Sequence, residues 1–178
     1  MIKTDLLLGE RVTLRAMEPE DLEVLYTLEN DTTLWNISSV NVPYSRYLLK
    51  QFIAKGTHDI YTDGQLRLMI ESVEEGTVVG MADIVDFNPR HLRAEIGIVL
   101  DKDYRNRGYA TEVLALMEKY VCEFLHLHQL YSYVSVENTA SVRLFQKAGF
   151  KATCELKDWL CVGNKYVDTI IFQKIFSK

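Results

Sequence analysis

Cysteine is scarce in this chain of 178 residues: Cys122, Cys154 and Cys161 are odd in number and share no metal or redox spacing. That excludes a disulfide framework and makes a reducing, cytoplasmic setting the expectation. No base partner lies close to any of them in sequence, so the thiols read as small apolar filler rather than nucleophiles. Long apolar runs are missing as well, none coming near the roughly 20 residues that cross a bilayer. The opening Met-Ile-Lys-Thr-Asp-Leu-Leu-Leu-Gly-Glu is too short and too soon acidic for a signal peptide, so no membrane role is expected. Nor is there surplus positive charge: a formal charge of −5 argues against general nucleic-acid binding and is compatible with a cationic substrate. His126 and His128 lack an Asp, Glu or Cys cluster beside them and read as the capping of a helix C-terminus, so no metal site is expected. Internal repeats, linkers and low-complexity segments are absent, and the length suits a single domain over residues 1–178.

What is present is an ordered alternation of periods. Arg11 to Arg15 alternates as a first strand. Glu18-Pro19-Glu20-Asp21 opens a helix reaching about Asn30, with proline in its first turn and acids facing the dipole. Asp31 to Tyr44 shows no clear period. Ser45 caps a second helix carrying Leu48, Leu49, Phe52 and Ile53, which Gly56 ends, and Asp63-Gly64 signals a turn. Leu66–Ser72 and Thr77–Phe87 form an antiparallel hairpin around Glu74-Glu75-Gly76, and Arg93–Leu100 follows as another strand. The strongest helical stripe is Ala110, Val113, Leu114, Met117, Val121, Phe124 and Leu125, predicting a helix from Ala110 to His126. Gln129–Val136 completes a right-handed crossover with parallel partners. Asn138 caps a helix to Ala148 that Gly149 closes, and Lys151–Cys161 with Lys165–Phe176 make a last hairpin around Val162-Gly163-Asn164. The order β-αα-βββ-α-β-α-ββ describes an α/β (α+β) fold, a mostly antiparallel mixed sheet with one central parallel pair.

Between strand and helix lies Glu95-Ile-Gly-Ile-Val-Leu-Asp-Lys-Asp-Tyr-Arg-Asn-Arg-Gly-Tyr-Ala110. A strand–loop–helix junction of this kind presents unpaired backbone N–H groups and the positive end of a helix dipole. A diphosphate suits it, with Gly108 allowing close backbone approach and Arg105 and Arg107 adding charge. The loop has neither the Gly-Lys-Ser/Thr of a P-loop nor the three spaced glycines of a dinucleotide fold.

Arg105-x-x-Gly108-x-Ala110 after an apolar strand resembles the acetyl-CoA pyrophosphate loop of the GNAT superfamily of N-acetyltransferases. The element order agrees with that fold, and Asn138-Thr-Ala-Ser141-Val-Arg-Leu144-Phe145-Gln-Lys-Ala-Gly149-Phe150 is similar to the family's Asn-x-x-Ala/Ser…Gly-Phe helix. The match runs from about Gly9 to Ile175. Leu125-His126-Leu127-His128-Gln129-Leu130-Tyr131 and the turn from Val162 to Asp168 look like the spermidine/diamine and ribosomal-protein N-terminal acetyltransferase subgroups.

The resemblance implies an acetyl-CoA-dependent enzyme acting on a primary amine, of a small molecule or of a protein N-terminus. It implies that strands Arg93–Leu100 and Gln129–Val136 splay, with the pantetheine arm pairing along Ile98, Val99 and Leu100. The pyrophosphate falls to Arg105, Asn106, Arg107, Gly108, Tyr109 and Ala110, and Asn138, Ser141 and Phe145 stand where the family's fourth helix meets the arm. Asn138 is equally an ordinary helix cap, and both roles can hold at once. Glu95 stands where related enzymes place a carboxylate that relays the amine's proton through water; its plain alternative is an exposed strand carboxylate. A backbone N–H near Val99 or Leu100 is the implied oxyanion donor.

Two features depart from the family's pattern. Many members carry a tyrosine at the position of Phe145 that protonates the departing sulfur, and phenylalanine has no proton to give. Either Tyr131, Tyr133 or a water takes over, or the thiolate, with a thiol pKa of about 8.5, leaves unaided. The stretch from Leu34 to Pro43 holds no carboxylate where spermidine acetyltransferases usually carry acids, which argues against a polyamine effector site. A non-catalytic acyl-CoA-binding module is the alternative that Phe145 leaves open. Folds of this kind often form homodimers, but the sequence shows no surface responsible.

Overall fold

The computed structural model describes residues 6–35, 42–55 and 59–176. Strands β1 (Val12–Arg15), β2 (Leu66–Ser72), β3 (Val78–Asn88), β4 (Arg93–Leu100), β5 (Gln129–Ser135), β6 (Lys151–Val162) and β7 (Lys165–Ile175) form a mixed seven-stranded sheet in the order β1-β2-β3-β4-β5-β7-β6. The expected fold class is the observed one. The chain divides into two compact units: residues 1–17, 57–130 and 175–178, and residues 18–56 and 131–174. β5 runs through the boundary between Leu130 and Tyr131.

The first unit is a meander of β1 to β4 carrying helices α4 (Ile60–Asp63) and α5 (Tyr109–Glu123). Directly opposed residues in antiparallel strands share a face. The register Leu14↔Ile70, Leu68↔Ala82 and Ile84↔Ile96 therefore gathers Val12, Leu14, Leu68, Ile70, Ala82, Ile84 and Ile96 on one side, all buried. Ser72 on that face lies 3.4 Å from the Tyr109 hydroxyl at the start of α5. α5 contributes Val113, Leu114, Met117 and Val121, each with no exposed surface. Each such side chain is worth about 1.5–3 kcal/mol when fully buried. The opposite face carries Arg15 against Glu71 (2.6 Å), Arg67 against Asp83 (2.7 Å) and, on β4, Glu95, Gly97 and Val99.

α5 starts one residue before the expected Ala110 and stops at Glu123 rather than His126. Its exit is made by backbone: Leu125 N–H donates to Tyr120 O, Leu127 N–H to Val121 O, and His126 takes a left-handed φ of 55°. Phe124, counted on the apolar stripe by spacing, is 58% exposed because the chain has already turned. α4 was expected only as a turn. Four residues cannot show a period, yet Asp59 caps it through Tyr61 N–H at 3.0 Å and Gly64 ends it at φ 66°. His128 and Gln129 N–H both donate to Leu92 O, starting β5 beside the approach to β4.

The second unit holds helices α1 (Leu22–Glu29), α2 (Thr32–Trp35), α3 (Arg46–Lys55) and α6 (Thr139–Lys147), with β6, β7 and most of β5. Pro19 begins a 3-10 turn ahead of α1, and the Asp21 carboxylate accepts from Glu18 N–H at 2.8 Å. Arg46 grips Glu23 through Nε and Nη2, both at 2.8 Å, and lies 3.8 Å above the Tyr26 ring, joining α1 to α3. Ser45 Oγ caps α3 through Leu48 N–H, as expected; Gly56, expected to end that helix, is outside the described residues. α2 falls in the stretch that showed no period and is too short to show one; Asp31 caps it through Thr33 N–H at 2.9 Å. Phe145 of α6 stacks on Phe172 and meets Phe150 edge-on, ring centres 5.9 and 5.0 Å apart. The β6–β7 hairpin turns at Gly163 (φ 61°), and β6 carries two register shifts, one around Asp158 at φ 52°. Cys154 and Cys161 are exposed on β6, so only half-buried Cys122 serves as filler. Among the described residues, no helix is long and apolar enough to cross a membrane and no three His, Cys, Asp or Glu side chains form a metal-binding group.

Candidate active site

β4 carries the first half of the site. Its N–H groups alternate between the two strand edges. Asp101 N–H donates to Val79 O at 2.9 Å, so Val99 N–H, two residues back, also faces β3, while Leu100 N–H and Ile98 N–H face the other edge. Of the two candidate oxyanion donors, Leu100 is the one whose N–H is turned away from β3. Glu95, opposite Val85, is half-buried. Burial, then the negative charge of Asp86, pushes its carboxyl above the ordinary range. Asp86 reaches that position through a bulge in β3, where it takes a left-handed φ of 46° and pairs with Arg93 at 3.5 Å.

The loop after β4 is built to hold its backbone open. Asp101 accepts from Asp103 N–H at 2.9 Å and starts a 3-10 turn over Lys102–Tyr104. Arg105 folds back, its Nε donating to Leu100 O at 3.1 Å, and caps the end of β4. Asn106 and Gly108 both adopt left-handed conformations, φ 63° and 84°. α5 then begins with no side-chain cap on its first N–H groups. Helix N-termini of this kind receive anions through backbone N–H groups and the dipole. Tyr109 is buried, so it offers the loop its backbone and its side chain serves the core.

Several residues around the loop carry no motif signal. Glu75, in the β2–β3 turn, accepts from the Tyr104 hydroxyl at 2.9 Å and pairs with Arg107 at 3.4 Å, while Arg107 lies over the Tyr104 ring. Arg11 donates to Arg107 O at 2.9 Å. Glu112, in the first turn of α5, accepts the backbone N–H groups of Glu10 and Arg11. Glu10, Arg11, Val73, Glu74, Arg107 and Tyr109 line a cleft of about 340 Å³ beside the loop. These partners come from about 30 to 100 positions away in the chain; the acid in the first helical turn was the one local sign of Glu112.

Glu95, Ile98 to Leu100 and Arg105 to Ala110 thus all lie in the first unit, and Tyr131, Tyr133, Asn138, Ser141 and Phe145 in the second. Asn138 caps α6, its Oδ1 accepting from Ser141 N–H at 3.1 Å. Phe145 is only 4% exposed. Tyr131 meets Tyr133 edge-on at 5.8 Å, and the exposed Tyr133 stacks on Trp159 at 6.3 Å, a partner that sequence reading did not single out.

A family profile described as acetyltransferase (GNAT) domain matches residues 11–151. Spermidine N(1)-acetyltransferase of Escherichia coli K12 is 30% identical over 166 residues, covering 91% of this chain and 86% of that protein. The putative ribosomal N-acetyltransferase YdaF of Bacillus subtilis is 24% identical over 173 residues, covering 92% and 91%. The crystal structure of Vibrio cholerae spermidine N-acetyltransferase in complex with CoA and spermine superimposes with a TM-score of 0.83 at 25% identity, covering 94% of this chain and 96% of that one. A dodecameric structure of the V. cholerae enzyme matches with a TM-score of 0.79 at 25% identity over 94% and 95%.

Proposed function

Because the chain belongs to the GNAT acetyltransferase family, we propose that it moves the acetyl group of acetyl-CoA directly to the primary amine of a small molecule. The observation that carries this reading is the loop from Arg105 to Ala110: a left-handed glycine leads into a helix whose first N–H groups have no side-chain cap. Likeness to spermidine acetyltransferases favours a diamine or polyamine-like acceptor over a protein N-terminus. The chain is taken as one catalytic domain, since both units are assembled from separated segments and β5 belongs to both. A homo-oligomer is part of the proposal, by likeness to the dodecameric relative.

Acetyl-CoA supplies a thioester carbonyl with a thiolate leaving group; the residues do the rest. Backbone N–H groups from Asn106 to Ala110 hold the diphosphate, and Asn138 and Ser141 contact the pantetheine arm. Glu95, with its raised pKa, takes the proton the amine must lose, through water. The Leu100 N–H stabilises the carbonyl oxygen as charge builds there. The new N–C bond forms as the C–S bond breaks. The sulfur's proton comes from Tyr131, Tyr133 or water, since Phe145 has none.

Thiol release from acetyl-CoA, measured against monoamines, diamines, polyamines and short peptides with free N-termini, tests this reading. Turnover is expected with small amines. Turnover confined to peptides would move the acceptor to a protein N-terminus. CoA binding without turnover on any amine would leave a non-catalytic acyl-CoA-binding module, the reading that Phe145 supports.

A further inference from the structure

The glycine of the loop rests against a residue outside the motif. Arg11, just ahead of β1, donates from Nη1 to the carbonyl oxygen of Arg107 at 2.9 Å. That carbonyl belongs to the peptide joining Arg107 to Gly108, which is trans. In a planar trans peptide the C=O and the following N–H point in opposite directions. Drawing the Arg107 oxygen toward Arg11 therefore turns the Gly108 N–H to the other side. The guanidinium also fills the space a side chain at position 108 needs: an ideal Cβ there lies 2.7 Å from Arg11 Nη1. A side chain at position 108 would therefore displace the end of the Arg11 side chain, while the φ of 84° is what favours glycine there.

Arg11 is held in its turn. Its backbone N–H lies 3.2 and 3.1 Å from the two carboxylate oxygens of Glu112, which also accept from Glu10 N–H. Glu112 stands in the first turn of α5, where a free carboxylate would oppose a bound diphosphate. Here its charge is engaged by backbone donors. The approach to β1 and the first turn of α5 are thereby tied together on either side of the Arg107–Gly108 peptide.

We propose that Arg11 is a positioning residue for cosubstrate binding: anchored by Glu112, it orients the Arg107–Gly108 peptide so that the Gly108 N–H is presented to the diphosphate of acetyl-CoA. The proposal rests on the acetyl-CoA reading above. Its consequence is a change in donor affinity without a change in the chemistry of transfer.

The test is steady-state kinetics of the full chain with acetyl-CoA and with acetyl-dephospho-CoA, which keeps the diphosphate and lacks the 3′-phosphate. For Arg11→Met the KM of both donors is expected to rise by one common factor, about 10- to 100-fold, the size of one charge-assisted hydrogen bond. kcat at saturating donor and the KM of the amine should stay as in the wild type. A rise confined to acetyl-CoA would mean that Arg11 touches the 3′-phosphate directly and would overturn the positioning role. An unchanged donor KM would overturn it outright. Should Arg11→Met fail to fold, Arg11→Leu, which likewise has no donor for Arg107 O, is measured with the same two donors: a common rise in KM supports the positioning role, and a rise with acetyl-CoA alone or no rise overturns it. If the wild type itself shows neither turnover nor a CoA-induced rise in Tm, it is the acetyl-CoA reading that fails.

Discussion

Glu95→Gln separates proton acceptance from every other property of that side chain, because glutamine keeps the size and hydrogen-bonding shape but takes no proton. The structure places Glu95 half-buried on β4 and holds its carboxyl above the ordinary range through burial and then Asp86. That brings its pKa closer to neutrality, where a general base is most effective. Its removal is expected to lower kcat/KM near neutral pH by roughly 100- to 10,000-fold. The deficit should shrink as pH rises toward the free amine's pKa of about 10, where solvent supplies neutral amine. In the wild type, activity should fall as pH drops through the raised pKa, since a protonated carboxyl accepts nothing. Asp86→Asn removes the second cause of the shift and should move that acidic limb to lower pH. Stability follows with the same sign. A carboxyl whose folded pKa is raised binds more protons folded than unfolded, so its contribution is most favourable below the ordinary range and worsens as pH rises through the raised value. Glu95→Gln should therefore raise Tm relative to wild type above that window and lose the advantage below it. The assay is thiol release followed from neutral to alkaline pH, with CoA affinity as a control expected to stay constant. A rate loss of equal size at every pH would refute proton relay and make Glu95 a charge partner of the amine. No loss would return it to an ordinary strand carboxylate.

Gly108→Val places a branched Cβ 2.7 Å from Arg11 Nη1 at a backbone φ of 84°, and should remove most of the CoA-induced rise in Tm; an undiminished rise in a folded variant would count against the loop as the anion site. If the edge of the Phe145 ring lies beside the departing sulfur, rather than wholly within the Phe150–Phe172 cluster, Phe145→Tyr is expected to raise turnover by up to roughly 100-fold, the low end of general-acid contributions. Denaturant unfolding tells the two ring placements apart, since a hydroxyl trapped in the Phe150–Phe172 cluster would cost about 1–3 kcal/mol and bring no gain in rate. Leu114→Ala, at a position with no exposed surface, should lower unfolding free energy by about 2–5 kcal/mol; a smaller loss would mean that the core of the first unit collapses around the gap.

Legibility in the sequence followed how local each cause is. Arg93–Leu100 is found where it was expected, with Ala94, Ile96 and Leu100 buried at period two, whereas Leu66–Ser72 was legible from its apolar run and the Glu74-Glu75-Gly76 turn, since Leu68, Met69 and Ile70 are buried on both faces. Val113, Leu114, Met117 and Val121 betrayed α5 at period 3.6, but Phe124 extended the stripe past the real end, since an apolar residue one turn too far looks the same as a buried one. α2 and α4 are held by Asp31 and Asp59 through single caps and are too short to have a period at all. At the site, the glycine and the arginines of the loop were legible as a motif. That Val99 N–H is spent on β3 while Leu100 N–H is not depends on which strand lies alongside. The Arg11–Arg107 and Glu75–Arg107 contacts join residues far apart in the chain, and no spacing rule reports them.

β6 forms one margin of the sheet, and its irregularity bears on how copies of this protein behave in a crowd. A flat strand of 12 residues at a sheet margin would offer a long row of unpaired backbone groups to any passing chain. The shifts near Thr153 and between Leu156 and Leu160 cut that row into short pieces, and Lys157, Glu155 and Asp158 set charges along it. The opposite margin, β1, is only four residues long. One margin thus resists fibrous self-association by brevity and the other by interruption. Between Leu156 and Leu160 four steps of β6 face two of β7, so it takes the removal of two residues there to restore an unbroken run and expose the kind of template on which strands from neighbouring molecules accumulate.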